Sequence, residues 1–188
     1  MQFETAEDEL IPEFEVAPSI TDPADFSIVL EITDIDGATE TCTFSQTHYL
    51  RRGDTFVPDS TANGFTAGQT YYVVDVPEYN EAIFSLTEGG SAVNLTNLTG
   101  GSIKGVVQHK LQAGFTIAFT TTGSYPTGLD GDVYFVLEEG LTDTTFQISK
   151  LRTGNPIALT GAGTGTLSYS QTGLTTTTLR ENYDYNDL

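Results

Sequence analysis

The two histidines are the side chains of this chain best suited to chemistry, and both stand in the same local pattern. His48 and His109, 61 positions apart, each begin a stretch of the form H-x-L-x-x-G-x-T, in which the glycines are Gly53 and Gly114. A pair of histidines could bind a metal ion or act as an acid–base pair. Equivalent positions of successive repeats lie about one structural unit apart, so we predict no metal site. We expect each imidazole to cap a turn by bonding to the backbone. These four residues then mark a structural repeat, and a zinc site between neighbouring subunits is the remaining chemical alternative.

The similarity between the two halves of the chain extends well beyond the histidines. The further matches are residues 71–74 with 134–137, 84–86 with 146–148 and 93–96 with 157–160. A fainter third copy of the segment 44–48 follows at 169–173, with Gly173 in place of the histidine. Self-similarity at a fixed period is typical of an array of small structural units. The third copy predicts a strand shared between one module and the next, at the point where the array ends.

The composition and the apolar spacing predict an all-β fold. Threonine, valine, phenylalanine and tyrosine dominate the periodic segments, glycine is frequent, and no segment beyond the N-terminal tail keeps a helical apolar period. In the second repeat we predict strands near residues 115–120, 133–138, 144–149, 156–160 and 165–170. The predicted architecture is an N-terminal hairpin plus two tandem small β-barrel or sandwich-like modules, with extended acidic terminal arms. The predicted boundaries are 1–24 for the N-terminal arm, 25–45 for the hairpin, 46–108 for module 1, 109–173 for module 2 and 174–188 for the C-terminal arm.

The charge of the chain is strongly negative and unevenly placed. Seven Lys and Arg stand against 26 Asp and Glu, for a net charge of −19. Binding to nucleic acid or to an anionic membrane needs clustered cations, so we expect neither partner. Residues 1–40 carry acids and no Lys or Arg, which is typical of a solubilising tail or of an arm that docks on a basic partner. The docking hypothesis rests on Glu4, Glu7, Asp8, Glu9, Glu13 and Glu15.

No catalytic constellation is apparent, and we predict that the protein is not an enzyme and binds no cofactor. The single cysteine, Cys42, cannot form an internal disulfide, which suits a reducing compartment. Neither a signal peptide nor an apolar run of membrane-spanning length is present, so synthesis in a cytoplasm is expected. The tripeptide Arg52-Gly53-Asp54 matches the sequence that integrins recognise, but the glycine is a repeat position, so we attribute the match to the turn.

A series of short motifs runs through the second repeat. They are H-x-L at 109–111, a T-T-T-G segment with later glycines at 120–131, Y-F-V at 134–136, T-T-F-Q-I at 144–148 and L-T-G-A-G-T-G at 159–165. This pattern resembles a module common in structural proteins of tailed bacteriophages, closely over residues 107–170 and more loosely over 46–106. It is also weakly similar to the small β-barrel inserted in ubiquitin-activating enzymes, which carries no catalytic residues. The resemblance implies a virion protein, made in the bacterial host cytoplasm and assembled with other virion proteins.

Three functions follow as expectations. The first is a capsid decoration or cement subunit, which docks through its acidic arm and forms a homo-oligomer. The second is a tail, neck or fibre component, to be distinguished by the number of copies in each particle. The third is a carbohydrate-binding module for host attachment, in which exposed aromatic rings line a groove. The rings proposed for that groove are Tyr49, Tyr71, Tyr125 and Tyr134.

Overall fold

The structure, a computed structural model, describes residues 14–20 and 23–172, and this part of the chain is all-β. It contains eleven strands, all paired antiparallel in one continuous sheet, and no helix. The strands are β1 (Phe14–Pro18), β2 (Phe26–Asp36), β3 (Thr41–Phe44), β4 (Thr55–Pro58), β5 (Tyr71–Asp75), β6 (Glu81–Ser85), β7 (Ile103–Val107), β8 (Thr116–Thr121), β9 (Val133–Val136), β10 (Ile148–Ser149) and β11 (Leu167–Thr172). The predicted all-β fold class is therefore confirmed.

Strands β2 to β7 form a closed barrel. The pairings run β2–β3–β6–β5–β4–β7, and β7 pairs with β2 again to close the ring. Buried and part-exposed residues alternate along β3, β4 and β7, as expected where one face of each strand points into a barrel. The hairpin predicted at residues 25–45 is thus part of the first barrel and not a separate unit.

The second barrel is closed by strands from the N-terminal end of the chain. Its pairings run β1–β11–β8–β9–β10, and the bridge between Phe26 of β2 and Phe146, two residues before β10, completes the ring. The backbones of Phe26 and Phe146 exchange two hydrogen bonds, of 2.9 and 3.0 Å. Strand β1 pairs with the start of β2 on its other side. The second repeat therefore supplies four strands, and β1 and β2 supply the rest.

Strand β2 belongs to both barrels, which explains its length of 11 residues. In the first barrel the β2–β3 hairpin pairs with β7 and β6; in the second the β1–β2 hairpin pairs with β11 and with Phe146. The two hairpins have equivalent roles. The boundary predicted at residue 24 is corrected, because residues 14–18 of the predicted arm form a strand inside the fold.

Two further sequence predictions differ from the structure. Residues 156–160 are not a strand, although Ile157 donates a backbone hydrogen bond to Ile148. The repeat match of 84–86 with 146–148 is displaced by two residues. Ser85 and Ser149 each accept a backbone N–H two residues later at 3.2 Å, so Ser85 corresponds to Ser149. Sequence similarity around Phe84 and Phe146 concealed this shift.

Aromatic rings fill both barrels and belong to one continuous cluster of buried side chains. In the first barrel Phe56 lies 5.2 Å from Phe84 between ring centroids; in the second, Phe26 lies 5.1 Å from Phe119. Full burial of a large apolar side chain stabilises the fold by about 1.5–3 kcal/mol. The packing of these rings is therefore a main source of the stability of the scaffold.

Candidate functional site: a groove between the two barrels

Both histidines are buried, and both cap the connection that follows a barrel strand. His48 Nδ1 accepts the N–H of Leu50 at 3.2 Å, and its Nε2 lies 3.1 Å from the carbonyl oxygen of Glu81. His109 repeats the arrangement, with Leu111 N–H at 3.3 Å and the Thr145 carbonyl oxygen at 3.0 Å. Backbone capping by each imidazole was predicted from the repeat, and these bonds confirm it.

The hydrogen bonds fix the protonation of both rings. A carbonyl oxygen only accepts, so Nε2 carries the hydrogen, and Nδ1 accepts a backbone N–H. Burial lowers the pKa of His48 and of His109, although the backbone carbonyl that faces each Nε2 favours the charged form. Protonation of Nδ1 would also place a donor against the leucine N–H. Both rings are therefore neutral at pH 7, and neither has a free nitrogen for a metal ion in this arrangement.

The repeat also places two tyrosines in equivalent structural roles. Tyr71 and Tyr134 are 2% and 0% exposed, and their hydroxyl oxygens accept the backbone N–H of Thr66 and Asp130 at 2.9 and 3.0 Å. Tyr134 also donates to the Asp130 carboxylate. Burial, together with this carboxylate, raises the pKa of Tyr134 to about 12. Each tyrosine thus secures a turn from within its barrel.

These positions correct the prediction of an aromatic carbohydrate groove. Tyr71 and Tyr134 point into the barrels, and the hydroxyl of the half-buried Tyr125 donates to the Phe119 carbonyl oxygen at 2.9 Å. Of the four rings, Tyr49 alone is exposed, at 41%. The four tyrosines therefore do not form one binding surface.

The predicted docking acids fall mostly outside the described residues. Glu4, Glu7, Asp8, Glu9 and Glu13 precede Phe14, the first residue that the structure describes. Glu15 lies in β1, and its carboxylate accepts a hydrogen bond from Lys104 of β7 at 2.9 Å. Glu15 thus ties β1 to the first barrel, and its carboxylate is paired within the fold.

The Arg52-Gly53-Asp54 tripeptide is part of the turn after His48. Gly53 has a φ of +91°, and Gly114 matches it with +84°. The carboxylate of Asp54 accepts the N–H of Arg51 at 2.9 Å and a bond from Lys110 of the second repeat at 2.7 Å. Its side chain is only 11% exposed. The acid therefore links the two repeats, which agrees with a structural origin for the motif.

A groove of about 500 Å³ lies between the barrels, bounded by β1, β2, β7, β11 and the two connections that follow the histidines. We call it the inter-barrel groove and define it by Phe14, Tyr49, Arg51, Gln108, Lys110, Tyr169 and Gln171. The ring of Phe14 lies 5.8 Å from those of both Tyr49 and Tyr169, between centroids. The groove therefore has an aromatic wall, with two cationic side chains among its lining residues.

Sequence reasoning missed this groove, although both of its repeat segments had been identified. The connections after His48 and His109 were expected to lie about a module apart, yet both contribute lining residues to the one groove. The two rings themselves share no hydrogen-bond partner. Phe14, which completes the wall, fell inside the predicted arm. The alternation of Phe14 and Val16 was the available signal for a strand there, but it spans too few residues to be decisive.

The described residues hold no group of three or more His, Cys, Asp or Glu side chains placed to bind a metal ion. Within residues 14–20 and 23–172 there is also no helix long and apolar enough to cross a membrane. Burial raises the pKa of the Cys42 thiol far above its ordinary value, so this thiol is unreactive in the folded barrel. Comparison of the chain with protein-family models, with curated proteins and with solved structures found no match.

Proposed function

We propose that this chain is a non-enzymatic structural protein of a tailed-bacteriophage virion. In this proposal it decorates or cements the capsid as a homo-oligomer, after synthesis in the host cytoplasm. The motif resemblance of residues 107–170 suggests the class. The buried, backbone-bonded histidines support a structural role, because the repeated motif uses both rings to hold connections in place.

The observation that carries the docking hypothesis is the position at which the flanking segments join the fold. Phe14 of β1 pairs with Tyr169 of β11, and the two strands are antiparallel. The chain therefore enters β1 beside the place where it leaves β11 at Thr172. Residues 1–13, which precede this point, carry five acids without Lys or Arg. An acidic segment joined to the scaffold here suits a partner with a basic patch.

The experiment is a binding assay on phage heads that lack this protein, from the phage that encodes the chain. The position of β1 determines which N-terminal deletion is suitable. Removing residues 1–24 would delete β1 and open the second barrel, whereas removing 1–13 leaves every described strand in place. We expect the 1–13 deletion to abolish binding and to leave the thermal unfolding temperature unchanged.

A charge-neutralised variant separates charge from length. Replacing Glu4, Glu7, Asp8, Glu9 and Glu13 by Gln or Asn should weaken binding as the deletion does, and wild-type binding should fall as salt rises. Undiminished binding of both variants would refute the role of the arm. Copy counting on the intact particle then distinguishes the sites. Hundreds of copies support decoration, and a dozen or fewer support a tail, neck or fibre component.

A further inference from the structure

The inter-barrel groove has the shape and lining of a peptide-binding surface. Apolar residues of β2 and β7 form its floor, and the rings of Phe14, Tyr49 and Tyr169 form one wall. Gln108 and Gln171 add amide groups that can bond to a peptide backbone.

The cationic side chains that line the inter-barrel groove favour an acidic peptide. Six Lys and Arg lie in the described residues, and five of them have an acidic or aromatic partner. The sixth, Arg51, makes no ion pair with any described residue and faces the inter-barrel groove beside Lys110. One unpaired guanidinium is too little for a nucleic-acid backbone, which needs several cations. It matches a peptide with one or two carboxylates, and Arg binds a carboxylate through two parallel bonds.

The chain itself contains such a peptide, attached next to the groove. Residues 179–188 include Tyr183 and Tyr185 interspersed with Glu181, Asp184 and Asp187, and Arg180 reduces the net charge of the segment from −3 to −2. In an extended segment, residues two apart share a face, so Tyr183 and Tyr185 would lie on one face and Asp184 on the other. Residues 173–178 can span up to about 20 Å, enough to turn back from Thr172. A short tether also gives an effective concentration of roughly millimolar, which favours the same chain over a second copy.

We propose that the inter-barrel groove binds an extended acidic peptide carrying aromatic side chains, and that residues 179–188 of the same chain occupy it. Residues 1–13 fit less well, because they carry Phe3 as their one aromatic ring and five acids. This proposal does not depend on the capsid hypothesis, since it concerns the isolated protein in solution.

Disulfide trapping in the full chain tests the proposal. The native Cys42 is fully buried and does not interfere. We expect Gln108→Cys combined with Asn182→Cys to form an intramolecular disulfide several-fold faster than Ala67→Cys combined with Asn182→Cys. Ala67 is exposed at the far end of β4 from Arg51 and serves as the control. These substitutions leave Tyr49, Arg51, Tyr183 and Tyr185 intact.

Two neighbouring arginines provide matched variants. Arg51→Gln should slow the trapping several-fold, whereas Arg52→Gln should not, because Arg52 is paired with Asp75 and does not line the groove. Hydrogen exchange of the unmodified chain gives an independent readout. We expect slowed amide exchange in residues 179–188 and loss of that protection in Arg51→Gln.

The outcomes that overturn the proposal are distinct. Equal trapping at Gln108 and Ala67, together with unprotected amides in 179–188, excludes the segment from the groove. Disulfide-linked dimers as the main product assign the groove to a second copy. Protection of residues 1–13 instead of 179–188 assigns it to the N-terminal segment. None of these results bears on particle binding, so the capsid hypothesis is judged separately.

Discussion

Phe26→Ala is the substitution that best tests the shared strand. The ring is fully buried in the second barrel, with centroids 5.1 Å from Phe119 and 5.6 Å from Phe146. Truncating a buried phenylalanine to alanine costs about 3–5 kcal/mol, because the transfer free energy is lost and a cavity remains. For a chain of this size, that loss lowers the unfolding temperature by about 10 °C. Calorimetry or urea denaturation measures it directly.

The location of the loss is more informative than its size. If β2 joins the two barrels into one cooperative unit, the free energy of unfolding falls equally in both. Amide hydrogen exchange at Val73 and Val136 reports this, because their N–H groups bond to equivalent carbonyl oxygens at 2.8 Å, one in each barrel. Val133→Ala, at a side chain that is 49% exposed, is the control and should change stability by less than about 0.5 kcal/mol. Weakened protection at Val136 with unchanged protection at Val73 would show that the barrels unfold independently, and the reasoning would be refuted.

Three further predictions follow from the contacts described above. Acidification below pH 6.5, the ordinary histidine pKa, should destabilise the fold, because burial lowers the pKa of His48 and His109 in the folded chain and the unfolded chain then binds more protons. Thermal denaturation should show that the double His→Asn variant loses less stability than the wild type between pH 7.5 and pH 5.5. Gly128→Ala should lower the free energy of unfolding by about 1–3 kcal/mol in urea denaturation, because φ is +105° and the new Cβ would lie 2.6 Å from a carbonyl oxygen. Gly68→Ala is the control and should lower it less, because φ is +73° and nothing lies within 4 Å of the new Cβ. Asp54→Ala should lower the free energy of unfolding by about 1–3 kcal/mol in the same assay, because the N–H of Arg51 and the ammonium of Lys110 lose their acceptor. An unchanged urea midpoint would show that this link between the repeats does not stabilise the fold.

Local patterns were sufficient to predict much of the second repeat. The strands expected near 115–120, 133–138 and 165–170 overlap β8, β9 and β11, because alternating apolar residues and glycine turns act over a few residues. The capping role of the histidines was also predictable, since two copies of one motif constrain each other. The strand predicted at residues 156–160 was wrong, because that prediction followed the sequence match with residues 93–96 and neither segment forms a strand.

No comparable local sequence pattern indicated which strands close the two barrels. Strand β1 lies in an acidic segment that contains prolines, and its partner β11 is about 150 residues away along the chain. The bridge between Phe26 and Phe146 also joins residues that are far apart in the sequence, 120 positions in this case. Long-range pairings depend on the three-dimensional position of complementary edges, which a single sequence does not reveal. The inter-barrel groove, which β1 completes, was hidden for the same reason.

The positions of β1 and β2 give the repeat a physical explanation. Each repeat supplies four barrel strands and needs two more from a hairpin on its N-terminal side. Glu15 and Glu31 occupy equivalent places in those hairpins, because each faces the strand that ends its barrel: Glu15 pairs with Ser168 of β11, and Glu31 with Lys104 of β7. One long strand serves as the second strand of one hairpin and the first strand of the other, so three strands close two barrels. A unit of about 60 residues is only marginally stable alone. The shared strand joins the two units and brings the connections after His48 and His109 to a common groove.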